Sequence, residues 1–510
     1  MAGRAGKAGT PQPGYDAAEA RRLDLNAAEL GVPVERLMAN VGKALAKELA
    51  RHARKGEGVL LLCGKGNNGG DGFAAAAELQ AMGRQAWVVL AGPPAAIASA
   101  AARAHFARLD RSRITAWTGR PATAWSRVRV VADCLIGSGL AGAPRPPYDA
   151  MVRWLDARRR AGAIVVSCDV PSGLGTAIAV RPTATVALHR AQEGLTRSNA
   201  GRLVVASIGM PARAADIGFG DLAAGYPGVR HDSHKGDNGT VLVVGGSGAL
   251  PGAPYYVSLG SYRTGADLVH VATPPAVAAV LRTWSPAPIV HAVGHGRADP
   301  GDGDHLAQGG LPSIARLMER CSAVVVGPGL GRHPSTLTAT RAVLAEAADR
   351  ALPTVVDADG LDALDEALLA RHGPRMVLTP HAREFQDLAG RAAGRANVVA
   401  YAARHGVTVL RKSAVDVVSD GRRTRECRRG HPTLTVGGTG DVLAGITGAL
   451  LAKGAAPFEA ACAASYLLKS AGEVAASLRS YGASASDVAE AIPSVLTRLE
   501  AYRAGVSGPA

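Results

Sequence analysis

Val59-Leu60-Leu61-Leu62-Cys63-Gly64-Lys65-Gly66-Asn67-Asn68-Gly69-Gly70-Asp71-Gly72 passes from five apolar residues into a turn holding five glycines, and FAAAAELQAMG (73–83) follows. A run of five apolar residues bounded by glycine is the length of a strand, and the alanine-rich stretch after the turn is helical. The order is strand, turn, helix. An unbroken apolar strand buries both of its faces, which implies a parallel sheet covered by helices on each side.

Working outward, Ala17 to His52 reads as helix, broken at Gly31-Val32-Pro33. Downstream the theme repeats in WVVLAG (87–92), VRVVADCLIGSG (128–139) and AIVVSCDVPSG (163–173), and RLVVASIGM (202–210) closes the first half. Between Pro211 and Arg230 the chain turns glycine-rich and loses its period. A second α/β unit begins at GTVLVVGGSG (239–248), with strands expected at 268–274, 323–329, 353–359, 375–381 and 407–413. HPTLTVGGTGDVLAGITGALLAKG (431–454) then runs from a glycine-rich turn into a helix. The expected division is a disordered tail over 1–13, one domain over 14–222 and another over 223–505. Both domains are expected to be doubly wound α/β.

The 510 residues carry 57 Lys+Arg against 42 Asp+Glu, a formal charge of +15. Such a balance favours phosphorylated or polyanionic partners. The basic residues fall in short groups such as Arg158-Arg159-Arg160 and Arg422-Arg423, with no long block interleaved with aromatics, so nucleic acid is not expected. Six cysteines are widely spaced with no C-x-x-C pair, which fits a reducing cytoplasmic compartment and suggests neither disulfides nor zinc. MAGRAGKAGTPQPG lacks the apolar core of a secretory signal, and no run of 18 apolar residues appears, so no membrane span is expected. Small-molecule substrates and a homo-oligomer are expected.

In the first half the glycines of residues 64–72 let the backbone approach a phosphate, and the following helix offers its free N–H groups to an anion. A tight turn with no ligand would use the same glycines. The spacing is not G-x-G-x-x-G leading to a distant acid, so a hydride-transfer domain is not implied. Asp133 and Asp169 each leave an apolar strand, where open α/β sheets hold their ligands, although an acid there also caps helices.

The GNNGGDG turn, the Asp-x-x-x-Gly-x-Gly stretch from Asp133 and DVPSGL (169–174) together resemble the NAD(P)H-hydrate epimerase domain of the YjeF family, which implies a Rossmann-like three-layer sandwich for the first domain. The resemblance implies that Asn67, Asn68, Gly69, Gly70 and Asp71 hold the dinucleotide hydrate. It implies that Gly137, Ser138, Gly139, Leu140, Ala141, Gly142 and Ala143 line it, and that Asp169 contacts it and serves acid/base chemistry. Asn68, Asp133 and Ser172 would bind a potassium ion. The chain departs from the family pattern at Ala39, where Glu is usual, in the short GTAIAV after Leu174, and at Gln192, where Lys is common.

In the second half, Gly437-Gly438-Thr439-Gly440-Asp441 opens a helix, whose bare N–H groups suit a transferring phosphoryl group and whose aspartate can take a proton from an attacking hydroxyl. This resembles the anion hole and base of the ribokinase-like superfamily, and the resemblance implies a ribokinase-like fold for the second domain. HKGDNGTVLVVGGS (234–247), GPGLG (327–331), DADGL (357–361), LTPHAREF (378–385) and GGTGDVLAG (437–445), in that order, resemble the ADP/ATP-dependent NAD(P)H-hydrate dehydratases. By that resemblance Ala253, Gly329, His381 and Asp441 contact the hydrate, and Lys412, Ser413, Ala414, Val415, Asp416 and Gly440 hold the nucleotide. Magnesium would accompany the ADP or ATP, and Asp441 would be the general base. Ser413 stands where the family usually has Gly. The alternative from the same residues is a hydroxymethylpyrimidine or thiazole-alcohol kinase with an N-terminal binding module.

Overall fold

In a computed structural model of the chain, the described residues are 15–119, 121–140, 142–229, 231–293 and 305–505. The expected tail therefore lies outside them. The chain divides into two compact units between Ala214 and Ala215. The boundary expected from sequence lies after residue 222, a little further along the chain. The Ile217 amide donates to the Glu426 carbonyl (2.8 Å), and the Asp221 carboxylate pairs with Arg425 (2.8 Å), so this stretch is fastened into the second unit.

The first unit holds seven strands: β1 (Val59–Cys63), β2 (Ala86–Leu90), β3 (Ile114–Ala116), β4 (Val130–Cys134), β5 (Ile164–Cys168), β6 (Ala184–Leu188) and β7 (Arg202–Ala206). All pair in parallel, in the order β3-β2-β1-β4-β5-β6-β7. Alternate residues of a strand face opposite sides, and the core splits accordingly. Val59, Leu61 and Cys63 join the cluster that includes Leu45, Leu49 and Phe73 of the helices Val34–His52 and Asn67–Ala81. Leu60 and Leu62 join Met151, Val152 and Leu155 of the helix Tyr148–Arg160. Cys63, Cys134 and Cys168 lie side by side at the ends of β1, β4 and β5, each with no exposed surface.

The second unit holds nine: β8 (Thr240–Val244), β9 (Leu268–Thr273), β10 (Ile289–Ala292), β11 (Ala323–Val326), β12 (Thr354–Val356), β13 (Met376–Leu378), β14 (Thr408–Arg411), β15 (Asp416–Ser419) and β16 (Thr424–Cys427). Their order is β10-β9-β8-β11-β12-β13-β14-β15-β16; the first seven run parallel, and β15 and β16 add an antiparallel margin. The helix Thr439–Ala452 is buried along nearly its whole length. Gly445 and Gly448 permit this: a Cβ on either would strike the Val257 carbonyl at 2.1 Å or Val325 Cγ2 at 2.4 Å. Among the described residues no helix is long and apolar enough to cross a membrane.

In both sheets the first strand in sequence has its successor on one side and a later strand on the other. The crevice between β1 and β4, and that between β8 and β11, are switch points, where ligands bind beyond the strands' carboxyl ends.

Candidate active sites

Beyond β1, β4 and β5 lies a cavity of ≈ 810 Å³. The turn after β1 is forced close to β4, since a Cβ on Gly64 would sit 1.9 Å from the Leu135 carbonyl. No side chain caps the helix Asn67–Ala81, so its first-turn N–H groups stay open. Asn67, Asn68, Asp71, Gly137, Ser138, Gly139, Leu140, Ala143 and Asp169 all line the cavity. Gly69 and Gly70 do not; a Cβ there would meet the Gly64 carbonyl at 2.0 Å or Met38 Sδ at 2.6 Å, so they serve packing. Gly142 also lies off the lining, and Ala141 falls outside the described residues.

Asp133 and Ser172 sit beneath the cavity, both fully buried. Asp133 accepts from Ser167 Oγ (2.8 Å), Ser172 Oγ (2.5 Å) and the Ser172 amide (2.9 Å). Burial raises its pKa against these bonds. The Asn68 amide is buried with neither its oxygen nor its nitrogen partnered. Asp169 has a left-handed backbone (φ 63°), and Gln192 Nε2 donates to its Oδ1 (2.9 Å). Burial raises Asp169 too.

Sequence reasoning missed Asp24, which lines the same cavity from the helix Ala17–Glu29. Its pKa is pushed up to about 6 by burial and then by Asp169. Asp71 is raised well above the carboxylate range by burial, then by Asp169 and Asp24. Three carboxyls thus share one cavity with no cation bonded to any of them among the described residues. Nothing in the spacing of a helical Asp24 marks it as a site residue.

In the second unit five parallel strands deliver the site at their carboxyl ends. Gly246 after β8 donates to the Pro328 carbonyl after β11 (2.9 Å), which brings Ala253 beside Gly329. Gly327, at φ 125°, must be glycine, because a Cβ would lie 1.8 Å from the Asp357 carbonyl. Asp357 follows β12, His381 follows β13 and Lys412 follows β14. Lys412 Nζ contacts Asp357 Oδ1 (2.6 Å) and lies 3.9 Å from Glu384 Oε2. Burial lowers the lysine's pKa, but Asp357 and Glu384 outweigh it and the net shift is upward.

Gly438 (φ 94°) turns the chain into the helix Thr439–Ala452, again with no side-chain cap. Asp441 lies in its first turn, its pKa pushed up to about 7 by burial and Asp357, against Lys412. A Cβ on Gly440 would sit 3.4 Å from Lys412 Nζ, so lysine and bare helix end face one space.

Three expected contacts have structural duties as well. His381 caps its own helix, its Nδ1 accepting from the Glu384 amide (3.0 Å). Asp416 is buried, accepting from the Ser413 amide and Ser465 Oγ (2.8 Å each) and pairing with Lys469 (3.2 Å). Ser413 Oγ bonds the Val415 amide and carbonyl within the same loop. Asp357, Asp359 and Glu384 stood inside motifs already quoted but were given no role. Only the fold shows that Lys412 and Asp441 meet them.

Two doubly wound units, each with a bare helix end at its switch point, three raised carboxyls in the first and Asp441 in the second, define an enzyme built around phosphorylated small molecules. A family model described as YjeF-related protein N-terminus matches residues 34–194, and one described as NAD(P)H-hydrate dehydratase matches 241–494. The bifunctional NAD(P)H-hydrate repair enzyme Nnr of Hyperthermus butylicus is 37% identical over 519 residues, covering 95% of this chain and 94% of that one. That of Salinibacter ruber is 35% identical, covering 92% and 93%. The ADP-dependent (S)-NAD(P)H-hydrate dehydratase of Cenarchaeum symbiosum is 38% identical over 286 residues, 55% of this chain and 96% of its own. The chain belongs to the family of bifunctional NAD(P)H-hydrate repair enzymes.

Proposed function

We propose that the first unit interconverts the R and S hydrates of NADH and NADPH, and that the second dehydrates the S form with ADP or ATP, releasing AMP or ADP and phosphate. The observation that carries the second activity is Asp441, titrating near 7 at a bare helix end beside Lys412. Above that pH its carboxylate takes the proton of the substrate hydroxyl as the hydroxyl oxygen bonds to the terminal phosphorus and the P–O bond to the leaving nucleotide breaks. The first-turn N–H groups and Lys412 face the charge that develops. The ring nitrogen's lone pair then expels phosphate, and loss of a proton from the neighbouring carbon restores the double bond.

Lys412, Ser413, Ala414, Val415 and Gly440 are the nucleotide contacts in this reading, Asp416 holding the loop from below. Ala253, Gly329 and His381 border the hydrate. Magnesium would ride on the nucleotide phosphates and offset their charge: among the described residues no group of three His, Cys, Asp or Glu could cage it.

For the epimerase, breaking and remaking the bond between the ring nitrogen and the hydroxylated carbon inverts that carbon, and Asp169 moves the protons. Potassium fits the oxygens of Asn68, Asp133 and Ser172, since the Asn68 amide is buried without a partner. Bound there, it would help hold the negative end of the substrate. The reduced, buried cysteines suit a cytoplasmic setting. The kinase alternative has less support, because the bifunctional relatives match across both units.

The test is recovery of absorbance at 340 nm from hydrated NADH with magnesium and ADP or ATP. Recovery that requires nucleotide and consumes both epimers supports both activities. No recovery, with turnover of a vitamin-precursor alcohol instead, moves the assignment to the kinase.

A further inference from the structure

At the end of the first sheet opposite Asp169 lies a second cavity, of ≈ 710 Å³, lined by Arg159, Arg160, Arg181, Arg197 and Arg202, with Asp156 its one carboxylate. The five arginines arrive from separate places. Arg159 and Arg160 end the helix Tyr148–Arg160, Arg181 precedes β6, Arg197 stands between β6 and β7, and Arg202 opens β7. Since β5, β6 and β7 are parallel, all lie where the strands begin.

A plain structural account exists for part of this. Basic residues at a helix's carboxyl end offset its dipole, and Arg158, of the same run, is satisfied by the Val128 carbonyl (2.9 Å). Arg160 pairs with Asp156 (3.3 Å) and Arg202 with Glu48. That account leaves Arg181 and Arg197 uncovered, and to Arg159, in the helix's last turn, it offers only the dipole. The exposed guanidinium groups of Arg159, Arg181 and Arg197 make no hydrogen bond or ion pair among the described residues, yet they converge from three segments on one concave space. Like charges gathered in a cleft repel one another unless an anion sits between them, and guanidinium is the side chain best matched to phosphate oxygens.

We propose that this cleft is a binding site for a small polyphosphate anion, either inorganic triphosphate or the phosphate tail of a nucleotide, separate from the crevice around Asp169. Its volume is that of a small-molecule site. Among the described residues no aromatic side chain lines it, so they offer no platform on which the bases of a nucleic-acid strand would stack.

The test is calorimetric titration of the full-length chain with inorganic triphosphate and, separately, with ATP. Three forms are compared: wild type, the triple variant Arg159→Ala/Arg181→Ala/Arg197→Ala, and Arg153→Ala, which lies on the same helix but outside the cleft. The expected result is a triphosphate site that is weakened at least ~30-fold in the triple variant, a charge-assisted pair being worth about tenfold, and unchanged in Arg153→Ala. Because the second unit is itself read as holding ATP, only the binding lost in the triple variant is compared: equal affinity of that component for both ligands identifies the phosphates as the feature read, and an ATP component tenfold or more tighter identifies a nucleotide. Should the alanine variant fail to fold by circular dichroism, Arg159→Lys/Arg181→Lys/Arg197→Lys takes its place, with about tenfold weakening expected from loss of the forked geometry. Unaltered stoichiometry and affinity in the variant overturn the proposal. So does displacement of triphosphate by a 20-nucleotide strand at lower concentration than by triphosphate itself, which would mark a nucleic-acid surface.

Discussion

A carboxyl that takes a proton near neutral pH must be held out of water, and that costs stability whenever it is ionised. Asp441, raised from 3.8 to about 7, is such a group. A folded-state pKa above the unfolded value gives no penalty below about pH 4, a growing one as pH rises, and the full penalty above about 7. Asp441→Asn should therefore lower dehydration by about 10²–10⁴-fold while stabilising the ligand-free protein by on the order of 2 kcal/mol at pH 8, after allowance for solvent screening. Thermal melts from pH 4 to 8 check this, and a gap that does not widen with pH would refute it. In wild type, kcat/KM for dehydration should rise with pH through about 7. Gln192 poses the converse case. Its neutral amide leaves Asp169 raised by burial; in Gln192→Lys an ammonium would pull that carboxyl down, shifting the acid limb of the epimerisation profile lower by roughly one pH unit. An unmoved profile would mean that Asp169 is not the titrating group.

Among the elements, the loop between β14 and β15 depends on a lysine far away in sequence. Lys469 Nζ donates to the Ser413 carbonyl (2.7 Å) and the Ala414 carbonyl (2.9 Å) and pairs with Asp416. Lys469→Met leaves Asp416 buried without its cation, at a cost of about 3–5 kcal/mol. The melting temperature should fall, and the KM for nucleotide should rise more than kcat falls. If KM holds steady, the loop does not carry the nucleotide. The strands expected from sequence are those with unbroken valine and leucine, such as β1, β8 and β11. The ones that escaped are β3, β6, β10, β15 and β16. Ala184-Thr185-Val186-Ala187-Leu188 is small-residued and hemmed by Pro182 and His189, while β15 and β16 carry Asp416, Arg425 and Glu426, whose partners lie elsewhere in the chain. A charge reads as loop until the group that neutralises it is known.

For the whole molecule, two separately cored units imply separable chemistry. Asp441→Asn, which slows dehydration by about 10²–10⁴-fold, should leave interconversion of the hydrate epimers at the wild-type rate, as followed by chromatography of the two forms; loss of both would show that the activities are coupled. The motifs at strand ends were legible because glycine turns and outgoing acids keep fixed spacing. The gathering of Asp24 with Asp71 and Asp169, or of Lys412 with Asp357, Glu384 and Asp441, was not, since it arises only when distant strands pair. The row of Cys63, Cys134 and Cys168 beneath the first crevice has a use of its own. A thiol with no exposed surface reacts with an alkylating reagent only while the sheet around it is open, so the rate of modification is a clock for opening of the unit's centre. A compound that occupies the crevice above should slow that clock in proportion to its occupancy. The chain thus carries its own internal gauge for ligands of the first site, readable from the mass of the alkylated peptides.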